Sequence, residues 1–184
     1  MSNDNAIVQN VSISRKAFIA SSLIAASSLF CSSAAFGEIT GELATESDAT
    51  EAERLWEEAV KRAEAEGEFV SDFIPFVNAP IPRTSVKAAS MNTTVKGIPT
   101  VVTASVSMET NKLLVTKVNS AWISATAATV SNQGYRHTKA DSGRTVCISY
   151  WCSITPAHKV PATCKFYAEF HSTGSGWMKG GPVS

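Results

Sequence analysis

The chain has 184 residues, 44% of them hydrophobic and 17% charged, and its 16 basic and 16 acidic side chains give a formal net charge of zero. That length fits one domain or two small ones, and the hydrophobic share is that of a globular chain. The zero average conceals a sharp segregation of charge along the chain.

The first element is a leader over residues 1–37. Arg15 and Lys16 end a polar start, an uncharged run extends from Ala17 to Gly37, and the run closes on Ser33-Ala34-Ala35-Phe36-Gly37. A positive start, an apolar middle and small residues before a cut are the layout of a secretory signal. Small side chains must stand three and one positions before the cleaved bond. Ala35 and Gly37 are therefore the cleavage residues, with a mature start at Phe36 or Glu38. The run is long enough to span a bilayer, which takes about 20 residues, but its serines make it a poor anchor. Phe30 before Cys31 argues against lipidation there. Ser14-Arg15-Lys16-Ala17-Phe18-Ile19 resembles the twin-arginine export leader, with Lys16 in place of the second arginine. The resemblance implies export by that route; the general secretory route fits the same layout. Membrane contact is expected only through the leader, before cleavage.

Residues 38–72 carry twelve acidic and three basic side chains, a local charge of −9. Within them, Asp48 to Gly67 reads as a helix. Asp48 or Thr50 can cap its start, and acidic residues suit that end of the dipole. Ala52, Leu55, Trp56, Ala59, Val60 and Ala63 recur at the spacing of one face. Glu57 and Glu58 precede Lys61 and Arg62 by one turn, and Gly67 is a natural stop. The apolar stripe is narrow, with two large side chains, so the reading is a spacer helix that docks weakly through Leu55 and Trp56.

Residues 73–184 invert the charge, with eleven basic residues against Glu109, Asp141 and Glu169. Thr, Val, Ser and Ala dominate, as suits strands. A weak strand is expected over Arg83 to Met91, and a clear one over Ile98 to Met108. Glu109 to Lys112 form a turn, Leu113 to Val118 begin the return, and Ala121 to Val130 read as another strand. The strongest element is a hairpin. Ile148, Tyr150, Cys152 and Ile154 alternate on one arm, and Ala162, Cys164, Phe166, Ala168 and Phe170 on the other. Period two with one buried face sets Tyr150 opposite Phe166, Val146 opposite Phe170 and Cys152 opposite Cys164, about a turn near His158. The loop Asn132 to Gly143 and the glycine-rich tail after Ser172 read as flexible. The whole is mainly β: a small antiparallel sandwich or barrel of five to six strands behind a signal peptide and one amphipathic acidic helix.

No catalytic, metal or nucleotide-binding motif stands out, so no catalytic residue, metal ligand or cofactor is assigned. Cys152 and Cys164 are the candidate disulfide, since they share a face and a register and export supplies an oxidising environment. Cys147 points the other way and is left odd. The three histidines, His137, His158 and His171, read as surface residues. Charge is the main functional clue: a basic β surface attracts anionic cell-envelope polymers or polysaccharide, with no specific nucleic-acid recognition evident. The alternative is internal, with the acidic helix neutralising the basic strands. Two functions fit: a secreted or cell-surface, non-enzymatic binding module, or a bacteriocin- or toxin-like protein whose acidic segment is a pro-region.

Overall fold

A computed structural model describes residues 43–76, 87–109, 111–157 and 159–183. The leader with Ala35 and Gly37, residues 83–86 of the weak strand, and His158 lie outside the described residues. The elements run β1 (Leu43–Ala44), α1 (Glu46–Ala65), β2 (Ile74–Pro75), β3 (Lys87–Val95), β4 (Ile98–Glu109), β5 (Leu114–Ala125), β6 (Ala128–Ala140), β7 (Thr145–Pro156), β8 (Ala162–His171) and β9 (Gly176–Pro182). The protein is mainly β. One sheet has the order β1-β3-β4-β5 and the other β2-β6-β7-β8-β9, and neither closes on itself. Every pairing between long strands is antiparallel; the parallel pair is the two-residue bridge of β1 to β3.

The β7–β8 hairpin has the register that its alternation predicts, with Val146 opposite Phe170, Tyr150 opposite Phe166 and Cys152 opposite Cys164. Two stretches expected to be flexible are strands instead. Asn132 to Ala140 belongs to β6 and pairs with β7, while Gly176 to Pro182 forms β9 on the free side of β8. The continuous strand expected over Ala121 to Val130 is broken between Ala125 and Ala128, where the chain leaves the first sheet for the second. Described strands therefore exceed the expected five or six: seven long ones and two of two residues.

One core draws on both sheets. Met91, Val102 and Ile123 from the first sheet cluster with Ile148, Tyr150 and Phe166 from the second. Buried Tyr150 donates its hydroxyl to the Thr103 carbonyl at 3.2 Å, a polar tie from one sheet to the other. Without that acceptor the buried hydroxyl would cost about 1–3 kcal/mol.

The helix starts before the expected Asp48, and neither Asp48 nor Thr50 is its N-cap. Thr45 is the N-cap, and Asp48 reaches back to accept from the Thr45 backbone N–H at 2.8 Å and from its hydroxyl at 2.7 Å. At the other end, Gly67 has φ +71°, Glu68 N–H bonds the Ala63 carbonyl and Gly67 N–H bonds the Glu64 carbonyl. That closure needs a left-handed residue, which glycine supplies without a Cβ clash. The spacer reading is corrected here. Ala52, Trp56, Ala59 and Ala63 are each 3% exposed or less, and the first three pack on the outer face of the second sheet. Small residues let the helix approach the strands closely, so the stripe that looked narrow is the contact surface. No helix among the described residues is long and apolar enough to cross a membrane.

Candidate functional site beneath and beside the helix

The outer face of the second sheet carries the side chains with chemistry. Cys147 on β7 stands opposite Glu169 on β8, and Tyr167 lies two residues before Glu169 on the same strand face. All three are buried, with Cys147 at 0%, Tyr167 at 1% and Glu169 at 7% exposure. Arg62, one turn before the helix ends, closes the cluster. Its Nη2 donates to Glu169 Oε1 at 2.8 Å and to Cys147 Sγ at 3.1 Å. The Tyr167 hydroxyl donates to the same Glu169 oxygen at 2.6 Å. The Trp177 ring on β9 covers Tyr167 with centroids 5.4 Å apart.

Burial pushes the Cys147 thiol up to about 11, and its contact with Tyr167 and charge of Arg62 do not reverse that. The thiol is therefore protonated at neutral pH and unsuited to nucleophilic attack. Burial also drives Tyr167 well above the ordinary phenol value. Burial disfavours the Arg62 charge, yet the hydrogen bonds and charges of Glu169 and Cys147 together outweigh it and hold the guanidinium above its usual value. The cluster is a protonated thiol, a neutral phenol and a paired carboxylate under one guanidinium. Through Arg62 the cluster ties the helix to the sheet.

Beside the cluster, Arg136 on β6 lies 4.7 Å over the Trp56 ring and donates to Glu53 Oε1 at 2.8 Å. Lys165 on β8 takes the other oxygen of Glu53 at 2.9 Å. Burial alone would raise the Glu53 carboxyl, but bonds from Lys165 and Arg136 hold it below its usual value. An open groove of about 480 Å³ follows this side of the helix, lined by Trp56, Val60, Val70, Lys61, Glu57 and Arg136 among others. Its size is within the range of small-molecule clefts, about 300–1,000 Å³.

Further ion pairs join Lys139 to Glu68 at 3.2 Å and Lys179 to Asp48 at 3.6 Å. Four strand cations, Arg136, Lys139, Lys165 and Lys179, are thus matched by carboxylates of the acidic segment. The expected helix pairs are replaced. Glu58 binds Arg54, and Arg62 reaches across to Glu169.

Cys152 and Cys164 face one another in the inner core, and Cys147 lies on the opposite face, as the alternation predicts. All three are free thiols. His137 is not a surface residue as expected. It lies within β6, its backbone N–H bonds Ser71 Oγ at 2.7 Å, and burial lowers its ring pKa. His171 shares a 3.0 Å contact between Nδ1 and the Thr145 hydroxyl.

Arg62, Tyr167 and Glu169 escape a reading of the sequence alone. A signal exists nonetheless: Arg62 is one of three bases in the acidic segment, and Glu169 is one of three acids among residues 73–184. Each is the charge out of place in its own region, and they meet. The chain matches no protein-family model, no curated protein and no solved structure.

Proposed function

We propose that this chain is an exported, non-enzymatic binding module that engages anionic cell-envelope polymers or polysaccharide outside the cell. In this reading the two sheets form a β-sandwich, with their inner faces meeting in the shared core and α1 laid over one outer face. The carrying observation is the incomplete neutralisation of the basic strands. The acidic segment pairs with Arg136, Lys139, Lys165 and Lys179, whereas Lys96, Lys117, Arg144 and Lys159 are exposed and have no ion pair among the described residues. Exposed cations without partners give an attractive potential toward polyanions that salt screens over about 10 Å at 0.1 M.

The pro-region alternative requires the acidic segment to leave. Its departure would uncover Cys147, Tyr167 and Ala140, which share a buried cluster with Trp56, Ala52 and Ala59. That loss favours the binding module, in which the helix is a permanent layer.

The test is retention on dextran sulfate across a salt gradient, comparing the mature chain with a variant carrying Lys96→Gln, Lys117→Gln, Arg144→Gln and Lys159→Gln. The expected result is salt-sensitive retention by the first and early elution of the second, with matching circular dichroism. No retention at low salt, or equal retention of both, overturns the ligand class. A folded secreted species beginning beyond residue 72 would favour the pro-region reading.

A further inference from the structure

We infer that Cys152 and Cys164 are a two-electron dithiol that closes into a cross-strand disulfide by exchange with an external disulfide, and that Cys147 is held out of the reaction. The inference concerns the folded chain's own chemistry and does not depend on the proposed ligand.

Three observations carry it. First, the two residues are direct partners in the antiparallel β7–β8 ladder. Opposed residues in such a ladder have Cα atoms about 4.5–5.5 Å apart, within the reach of a disulfide at about 4.4–6.8 Å. Second, β6 slips register between Ser131 and Gly134, so that Ser131 pairs with Ser153 and Gly134 with Trp151. Cys152 falls opposite the extra residues Asn132 and Gln133. A bulge loosens the local ladder and lets the strand adjust to the shorter sulfur link. Third, Cys147 is on the other face, its sulfur engaged by Arg62 beneath α1. Bringing Cys147 opposite Cys164 would take a slip of five residues, an odd number that would also turn Tyr150 and Ile148 out of the core.

Both sulfurs are buried, so the reaction runs through local opening of the hairpin end. Two rungs, Ser153–Thr163 and Ile154–Ala162, separate the pair from the end of the ladder. A hydrogen bond from Cys152 lowers the Cys164 thiol pKa against the effect of burial, and nearby Lys96 lowers it further, which favours Cys164 as the attacking thiolate. Its thiolate attacks one sulfur of the external disulfide, whose other half leaves as a thiolate and takes up the proton. Cys152 then gives up its proton and attacks the Cys164 sulfur, releasing the second half as a thiol. Two protein thiols are oxidised by two electrons, and one external disulfide becomes two thiols.

The experiment incubates reduced full-length chain with oxidised glutathione under native conditions, quenches with acid, alkylates after unfolding and maps the peptides. Cys31 is read on its own peptide. The expected product is one Cys152–Cys164 link, with Cys147 alkylated and the melting temperature raised by at least about 5 °C. Cys147→Ala should give the same link, while Cys152→Ala and Cys164→Ala should give none. A link containing Cys147, stable glutathione adducts on Cys152 or Cys164, or a native chain that stays reduced while the unfolded chain oxidises would each overturn the inference.

Discussion

Around the start of β7 and the end of β8 both faces of the second sheet are buried, and they are chemically unlike. On the inner face of the β7–β8 hairpin, Val146, Ile148, Tyr150 and Ile154 meet Phe166, Ala168 and Phe170. On the outer face stand Thr145, Cys147, Ser149, Tyr167 and Glu169, all buried as well. β7 consequently has six consecutive buried residues from Thr145 to Tyr150. The inner face gains by removing apolar area from water, at roughly 25 cal/mol per Å². The outer face holds small and polar groups that gain little that way. It depends on close fit to the alanines of α1 and on the partners that Arg62, Tyr167 and Glu169 find in one another. The inner face should therefore tolerate changes of shape at constant volume, and the outer face should not tolerate loss of a partner.

Trp56→Ala should show the largest effect, because it removes the largest buried side chain that the helix places on the outer face. A loss of about 3–5 kcal/mol is expected, the usual range for deleting a buried aromatic. Urea unfolding followed by circular dichroism measures it, and a loss under 1 kcal/mol would mean that the helix is peripheral to the fold.

Glu169→Gln sharpens the comparison. The side chain keeps its size but loses the charge that satisfies Arg62 and accepts from Tyr167, and about 1–3 kcal/mol should be lost. Ile148→Leu on the inner face conserves volume and should cost less than about 1.5 kcal/mol. If the inner substitution proves the more damaging, pairing is not what holds the outer face.

A smaller effect is expected with pH. The folded-state pKa of His137 is depressed from its ordinary 6.5, chiefly by burial. The folded state thus binds fewer protons than the unfolded, and stability is full above pH 6.5 and falls as pH drops through the folded value. Glu53 is depressed from 4.5 despite its burial, through Lys165 and Arg136, so its contribution is lost on further acidification below that value. Melting temperatures between pH 8 and 3 should fall in two stages. His137→Gln should remove the upper stage and leave the lower one; an unchanged upper stage would assign it to another group.

Legibility varied with how local the signal was. Alternation over Cys147 to Phe170 revealed both the inner face and the register, because each residue's side is set by its own position along the strand. β6 was missed because Asn132, Gln133, Arg136 and Lys139 are polar, and its middle lies against segment 69–76. Ser71 N–H bonds the His137 carbonyl at 2.9 Å, and the Thr138 hydroxyl bonds the Phe69 carbonyl at 2.9 Å. Gly134 carried a faint hint, since an isolated glycine in a strand marks a close approach. A Cβ there would run into the Phe73 ring, which stacks on Trp151 with centroids 3.7 Å apart.

By itself the sequence determined the β character, the hairpin register, the separation of Cys147 from Cys152 and Cys164, and the division into acidic and basic regions. These follow from period, turn residues and charge, all carried by neighbours along the chain. The tertiary structure decided where the helix lies, which buried polar atoms share partners and whether the glycine-rich end becomes a strand. Arg62 and Glu169 are 107 positions apart, and their contact exists only after α1 has docked. β9 forms because Gly180 and Gly181 leave room for Phe166 and the Thr45 backbone, whose proximity appears nowhere in the local pattern.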